Sequence, residues 1–284
     1  MRVIPLQILI SNMRQLRTFR ILLAIIFFIA SALYLYEGAG RRPMADISFK
    51  SQIILSMITM TIGATITWLL LTFLIGRVYC STVCPVGALT DLFARTGRLI
   101  PRRDKDYHWK RRAPWSGYLL MVYILSLLLG FLAVAYIVEP WNIMRNIVSI
   151  ARPEATALSW QTLGVGAAVS IIAGILSLLF IAGWSLRSGR DFCTDLCPLG
   201  AALGAVSNNA LLHIEIDPDK CVYCGKCEAG CSAHCIRLKK RYVDNARCLR
   251  CFDCLSACEY DAIRLQLNRN VPLTPLFRRK TEAR

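Results

Sequence analysis

The sequence predicts an all-α membrane anchor of four transmembrane helices, arranged as two similar helix pairs, followed by a small α+β module rich in cysteine. The chain has 284 residues, of which 55% are hydrophobic, and this fraction points to membrane spans. Nine of the 13 cysteines fall between Cys221 and Cys258. The predicted segments are a cytoplasmic or interfacial stretch at 1–18, a membrane domain at 19–209, the module at 210–267 and a basic tail at 268–284.

Four apolar stretches are each close to the roughly 20 residues that a helix needs to cross a hydrocarbon core. They are Phe19–Tyr36, Ile53–Ile75, Trp115–Val138 and Thr162–Trp184. The last three contain no Asp, Glu, Lys, Arg or His, as is typical of helices surrounded by lipid or by other helices. The first stretch also fits a signal peptide, because basic residues precede it and Ala30-Ser31-Ala32 resembles a cleavage site.

Basic residues are concentrated ahead of the first stretch and in the connection after the second, which begins at Arg77. The positive-inside rule therefore predicts a multi-pass protein of a bacterial inner membrane, with cytoplasmic N- and C-termini. The same distribution accounts for the formal net charge of +16 without nucleic acid, so we expect no nucleic-acid partner.

An internal repeat links the two helix pairs, since Gly76–Ala88 matches Gly189–Ala201 and each copy contains a C-x3-C-P motif. The motif cysteines are Cys80 and Cys84 in the first copy, and Cys193 and Cys197 in the second. Cysteines four residues apart share one side of a helix, so each pair could bind a metal or form a redox disulfide. All four could also share one site, or simply pack as small hydrophobic residues.

The strongest pattern lies in the module, where two runs have the spacing C-x2-C-x2-C-x3-C. They are Cys221-Cys224-Cys227-Cys231 and Cys248-Cys251-Cys254-Cys258. Two zinc sites are the alternative interpretation, but zinc needs no third cysteine at this spacing. The runs resemble those of bacterial two-cluster ferredoxins, in which the fourth cysteine of each run binds the other [4Fe–4S] cluster.

That resemblance implies two [4Fe–4S] clusters with a defined set of ligands. Cluster 1 is assigned to Cys221, Cys224, Cys227 and Cys258, and cluster 2 to Cys248, Cys251, Cys254 and Cys231. The chain departs from the ferredoxin pattern at Ser232 and Glu259, where proline normally follows the fourth cysteine. It also has an extra cysteine, Cys235, which could replace Cys231 as a ligand.

The combination of four spans, two C-x3-C-P motifs and a C-terminal two-cluster module resembles the NapH/MauN family of membrane-bound ferredoxin-type proteins. The resemblance implies a quinol dehydrogenase component that passes electrons from membrane quinol towards a reductase of the periplasmic nitrate reductase type. It also implies a periplasmic ferredoxin or cytochrome subunit as partner. Two other functions stay open: a copper or metal reductase or assembly factor that uses the C-x3-C-P thiols, and a redox-sensing scaffold.

Haem is not expected, because the chain has only three histidines, all outside the apolar stretches, and no C-x-x-C-H motif. Quinol oxidation releases protons, and Glu139, followed by Pro140 and Trp141, is the candidate acceptor, with Glu37 as a weaker counterpart. Both acidic residues are predicted at the membrane face opposite to the C-x3-C-P motifs. Each could instead be an ordinary interfacial carboxylate beside aromatic anchors.

Overall fold

A computed structural model of the chain describes residues 13–37, 62–100, 106–111, 113, 115–129, 139–151 and 167–267. Helices occupy the first three quarters of these residues, and every described strand lies in the C-terminal module. The helices before the module are α1 (Met13–Glu37), α2 (Ile62–Ile75), α3 (Tyr79–Thr82), α4 (Pro85–Gly97), α5 (Trp115–Leu128), α6 (Pro140–Ser149), α7 (Ala167–Ser188) and α8 (Pro198–Ser207). A π-helical turn, Phe192–Leu196, connects α7 to α8.

Two of the predicted spans are helices long and apolar enough to cross a membrane. Gln15–Tyr36 of α1 and Ile171–Ser188 of α7 meet this description, and only 22% and 17% of their respective residues are buried within the protein. Large apolar side chains such as Leu22, Ile26 and Leu176 are exposed along them, so these surfaces fit contact with lipid. The predicted spans at 53–75 and 115–138 are described only in part, as α2 and α5, which have 14 residues each.

The two repeats fold in the same way, and the chain reverses at a glycine in each. Gly76 and Gly189 have φ values of +103° and +62°, which other residues adopt only with strain. After each glycine the chain runs back along the helix it has just left. Tyr79 then packs 5.2 Å from the ring of Trp68, and Phe192 packs 6.3 Å from the ring of Phe180.

The Cys-Pro pair at the end of each motif separates two helical segments. A residue before proline is restricted to extended backbone, and Cys84 and Cys197 have ψ values of 118° and 119°. Proline has no N–H to donate, so it suits the first position of a helix, and α4 and α8 begin at Pro85 and Pro198. The second cysteine of each motif thereby lies just ahead of a helix, and the first lies in the short helical segment before it.

The module contains two antiparallel β-ribbons and two short helices, α9 (Lys226–Ala229) and α10 (Asp253–Ala257). Strand β1 (Leu212–Ile216) pairs with β4 (Ile263–Leu267), with Ile216 opposite Ile263. Strand β2 (Ile236–Arg237) pairs with β3 (Tyr242–Val243). The outer strands β1 and β4 thus bring together the two ends of the module.

The module packs directly against the helical part. The Leu211 N–H donates to the Phe73 carbonyl at the end of α2 (2.9 Å), and the Tyr107 N–H of the basic connection donates to the Ala229 carbonyl (3.1 Å). Arg17 of α1 forms an ion pair with Asp253 at 2.7 Å. The basic connection, the start of α1 and the module therefore lie on one side of the helices.

The geometry of the repeats predicts that Gly→Ala substitutions will differ sharply in their effect on stability. A Cβ on Gly87 or Gly200 would collide with the carbonyl oxygen of Cys80 or Cys193, whereas a Cβ on Gly183 of α7 would meet nothing within 4 Å. We expect Gly87→Ala and Gly200→Ala each to destabilise the protein by about 1–3 kcal/mol, as overpacking does. The control Gly183→Ala should change stability by no more than about 1 kcal/mol. Thermal unfolding in detergent measures this, and equal effects at the three positions would contradict the reversal geometry.

Candidate functional site

The first cysteine cavity brings together four thiols from both runs. Cys221, Cys224, Cys227 and Cys258 line a cavity of about 320 Å³. It lies near the surface, because Cys224 is exposed and Cys221 and Cys258 are half-buried. Gly225, at φ +81°, turns the loop into α9, which carries Cys227, and burial raises the pKa of Cys227 to about 12. The last cysteine of the second run thus lies with the first three of the first run.

The second cysteine cavity is buried more deeply. Its volume is about 330 Å³, and its cysteines are Cys231, Cys235, Cys248, Cys251 and Cys254. All five are buried, and the remaining lining is mainly aliphatic and aromatic. A four-iron cube needs four thiolates, so this cavity offers one more thiol than such a cluster requires.

The additional thiol, Cys235, lies against two of the other cysteines. Its Sγ is 3.3 Å from the Sγ of Cys231. A hydrogen bond from Cys235 lowers the pKa of Cys248 to about 6; burial of Cys248 opposes this effect and the charge of Arg250 reinforces it. Cys248 is therefore disposed to ionise as a ligand must.

Both cavities suit a multi-iron cluster better than a single ion. Tetrahedral zinc at about 2.3 Å from each sulfur would hold its thiolates about 3.8 Å apart. Among the residues that the structure describes, no three His, Cys, Asp or Glu side chains converge in this way. Four soft thiols around a cavity of this size fit a [4Fe–4S] cluster instead.

The four C-x3-C-P cysteines form a third group of thiols. Cys80, Cys84, Cys193 and Cys197 are only 5–7% exposed and share one core cluster. Cys84 interacts electrostatically with the other three. The Gly200 N–H donates to the Cys197 Sγ at 3.4 Å, and the Thr90 hydroxyl lies 3.6 Å from the Cys193 Sγ. The structure thus brings the cysteines of both repeats together.

Two arginines cross between the repeats beside these thiols. Arg77 of the first repeat donates to the carbonyl of Cys193 at 2.7 Å, and Arg190 of the second donates to the carbonyl of Cys80 at 2.8 Å. The two side chains are 1% and 0% exposed. Arg77 is one of the basic residues of the connection predicted to be cytoplasmic, and the repeat fold draws its side chain inward to cap a carbonyl.

Two further arginines are fully buried between the repeats and the second cavity. Arg250 donates to the carbonyls of Ile75 (2.8 Å) and Leu212 (2.7 Å), and its Nη1 lies 4.0 Å from the Cys248 Sγ. Arg247 is 3.4 Å from a carboxylate oxygen of Asp191 and of Asp195 in the second repeat. These side chains join the module to the repeats.

The carboxylate of Asp91 on α4 balances part of the positive charge of the buried arginines. Burial alone would raise the pKa of Asp91, but Arg190, Arg20 and Arg95 outweigh burial and hold its pKa below the ordinary value. Arg20, at 3.0 Å from Asp91, also donates to the Ser81 carbonyl in the first motif. Asp91 is therefore an anion that joins α1 to both repeats.

Glu139, the candidate proton acceptor, is buried at the start of α6. It is 9% exposed and accepts a hydrogen bond from Asn142 Nδ2 at 2.8 Å. Asn146, on the same side of the helix, is buried, and its Oδ1 accepts no hydrogen bond from the described residues. Tyr123 of α5 interacts electrostatically with both Glu139 and Cys197. One side chain is thus near enough to interact with both the polar group and a motif thiol.

The weaker candidate, Glu37, is the last residue of α1. Its side chain lies outside the described part of the chain.

The buried arginines are the group that sequence analysis missed. A signal was available, because Arg77 and Arg190 occupy the same position in the two repeats and directly follow the turn glycine. Arg247 and Arg250 flank Cys248. Arginines at fixed positions beside cysteines suggest a structural partner more than a solvated charge.

Two segments of the chain match a known protein family. A family model described as a 4Fe-4S binding domain matches residues 57–104 and 170–213. These segments contain the two C-x3-C-P motifs, and the runs from Cys221 to Cys258 lie beyond them. No solved structure matches the chain.

Several curated relatives are ferredoxin-type proteins. The methylamine utilization ferredoxin-type protein MauN of Paracoccus denitrificans is 30% identical over 60% of this chain and 53% of its own length. The ferredoxin-type protein NapH of Haemophilus influenzae is 28% identical over 60% of this chain and 52% of its own length. MauN of Methylorubrum extorquens is 26% identical, with 60% and 53% covered.

The chain spans about half the length of these relatives. Their names and the matched 4Fe-4S domain agree with the cysteine pattern and with the apolar helices, and they support iron–sulfur electron transfer as the function. These similarities support a ferredoxin-type protein of the NapH/MauN kind.

Proposed function

We propose that this protein takes electrons from a membrane quinol and passes them through two [4Fe–4S] clusters towards a respiratory reductase. The observation that carries the proposal is the exchange of fourth cysteines between the two runs. Cys258 lines the cavity of the first run and Cys231 that of the second. Two-cluster ferredoxins have the same exchange of fourth ligands. It ties the two clusters together, so that they lie close enough for electron transfer.

The proposed ligands of cluster 1 are Cys221, Cys224, Cys227 and Cys258, and those of cluster 2 are Cys248, Cys251, Cys254 and Cys231. Cys235 remains as a hydrogen-bonding thiol beside cluster 2. When bound, each cluster supplies one-electron storage, and the cysteines with their hydrogen-bond donors set its potential.

The depths of the two cavities suggest a direction for electron flow. The second cavity is enclosed and adjoins the repeats through Arg250, whose guanidinium contacts the last residue of α2. The first cavity is near the surface, with Cys224 exposed. Electrons would then enter at cluster 2 and leave from cluster 1 to a partner, either a ferredoxin or a cytochrome subunit. The terminal acceptor would be a reductase of the periplasmic nitrate reductase type.

The quinol head group is proposed to bind beside α6. Glu139, Asn142 and Asn146 place a carboxylate and two amides on one buried face of this helix, and a hydroquinone needs such partners for its hydroxyls. Oxidation of the hydroquinone to the quinone releases two protons and two electrons; Glu139 accepts one proton, and the other passes to solvent. The two electrons then pass one at a time towards the thiols of the repeats, and Tyr123 interacts electrostatically with both Glu139 and Cys197.

Substitution of single module cysteines tests the ligand sets. We expect Cys224→Ser to remove cluster 1 and Cys251→Ser to remove cluster 2, each with a loss of about four iron atoms per chain. Iron and sulfide analysis with EPR of the reduced proteins measures this. A single substitution that removes both EPR signals from folded protein, or neither, would contradict two separate ligand sets.

The quinol step is tested by anaerobic mixing of the purified protein with a menaquinol analogue. We expect reduction of the clusters in the unaltered protein. In Glu139→Gln, reduction should be about 100-fold slower, the lower end of the effect of losing a general base. Glu215→Gln, at an exposed position on β1, is the matched control and should reduce normally. Intact clusters that menaquinol leaves oxidised would contradict quinol oxidation and favour the metal-reductase alternative.

The charge of Arg250 should raise the potential of cluster 2, because a nearby cation favours the more negative reduced cluster. We expect Arg250→Met to lower the midpoint potential of one cluster by tens of millivolts and Arg250→Lys to restore most of that shift. Arg264→Met, on the half-exposed part of β4, serves as control. Redox titration followed by EPR decides, and a shift in Arg250→Lys as large as in Arg250→Met would mean that geometry, not charge, is responsible.

A further inference from the structure

We infer that the four C-x3-C-P cysteines together bind a third [4Fe–4S] cluster, shared between the two repeats and placed next to cluster 2. The inference rests on the proposed iron–sulfur relay and adds a carrier to its membrane side. The ligands are Cys80 and Cys84 from the first repeat and Cys193 and Cys197 from the second.

The number and position of the thiols are the first argument. Each matched 4Fe-4S segment contributes only two cysteines, at 57–104 and 170–213, whereas a cube needs four. The fold supplies the missing pair, because Thr90 of the first repeat lies 3.6 Å from the Cys193 Sγ of the second and Cys84 interacts electrostatically with the other three thiols. Neither repeat could hold the cluster alone, so the duplication itself completes the ligand set.

Hydrogen-bond donors around the thiols are the second argument. The Gly200 N–H points to the Cys197 Sγ at 3.4 Å, and Gly87 offers the corresponding N–H to Cys84. The Thr90 hydroxyl lies 3.6 Å from the Cys193 Sγ. N–H donors aimed at sulfur are what ligand thiolates of a cluster require, since they stabilise the negative charge.

Unbalanced buried charge is the third argument. Arg20, Arg77 and Arg190 are 2%, 1% and 0% exposed, and the ion pairs of Arg20 and Arg190 both go to Asp91. Arg77 has no ion pair within the described part of the chain. The Nε–H groups of all three arginines donate no hydrogen bond within the described residues either. Two positive charges are thus left over, and an oxidised cube with four thiolates carries a net charge of about −2. Such a group offsets a burial that would otherwise be costly.

The same arginines join this group of thiols to cluster 2. Arg190 interacts electrostatically with Cys80 and Cys193 on one side and with Cys251 on the other. Arg77 caps the Cys193 carbonyl and also donates to the Ala246 carbonyl at 3.1 Å, two residues before Cys248. A third cluster here would lie between the proposed quinol site and cluster 2, and it would carry one electron at a time between them.

Cluster counting tests this inference without quinol. Native mass spectrometry of the protein purified anaerobically should show three four-iron cores, and iron analysis about twelve iron atoms per chain. The double substitution Cys84→Ser with Cys197→Ser should lower the iron content by about a third and leave the two module EPR signals in place. Ser81→Ala, buried beside Cys80, keeps all four thiols and should retain every cluster.

Two four-iron cores in the unaltered protein, together with unchanged iron in the double variant, would overturn the third cluster. That result would leave the two-cluster relay intact, since the module signals are measured separately. Three cores in a protein that menaquinol does not reduce would instead support the third cluster and overturn only the quinol proposal. Because the count on the unaltered protein needs no substitution, instability of the double variant does not affect the test.

Discussion

The structure depends on arginine side chains that are buried between the two repeats and the cysteine module. Arg77 and Arg190 each leave their own repeat to cap the carbonyl of the first motif cysteine in the other. Arg250 reaches from the second cysteine run to the end of α2, and Arg247 reaches the aspartates of the second repeat. Apolar packing alone would let these three parts slide against each other. Charged side chains with fixed hydrogen-bond partners permit one arrangement only, and this arrangement places the thiols in register.

Burial of that much positive charge has an energetic consequence. A guanidinium removed from water without a compensating anion costs several kcal/mol. Asp91, Asp191 and Asp195 supply some compensation, and Arg77 and Arg250 have no carboxylate partner among the described residues. Anionic iron–sulfur clusters are the groups best suited to supply the rest, so folding of the interface and cluster insertion are coupled. The arginines that hold the module in place are therefore also those that would set the cluster potentials.

The sequence predicted what is local and missed what is spatial. The cysteine runs, the repeated C-x3-C-P motif and the α1 and α7 spans follow from spacing and hydropathy, and the structure contains them. The joining of Cys258 to the first run came from resemblance to ferredoxins, because nothing in the spacing itself fixes it. The role of Arg77 was missed because the sequence pattern of a basic residue after an apolar helix is the same whether its side chain is solvated or buried. Tyr123, which interacts electrostatically with both Glu139 and Cys197, was missed because a single tyrosine in an apolar helix forms no pattern.

The two repeats share a fold but differ at the positions that decide what packs on each. Asp91 on α4 of the first repeat corresponds to Gly204 on α8 of the second. The Asp91 carboxylate binds Arg20 and so holds α1 against the first repeat. Gly204 instead lets Ala246 of the module approach closely, since a Cβ on Gly204 would lie 2.9 Å from the Ala246 carbonyl oxygen. In return, Asp191 and Asp195 of the second repeat replace Val78 and Thr82 of the first and bind Arg247. A symmetric pair of repeats would offer the module two equivalent surfaces. These few differences between the repeats leave one surface for α1 and one for the cysteine module. A single module is therefore held at one end of the duplicated scaffold.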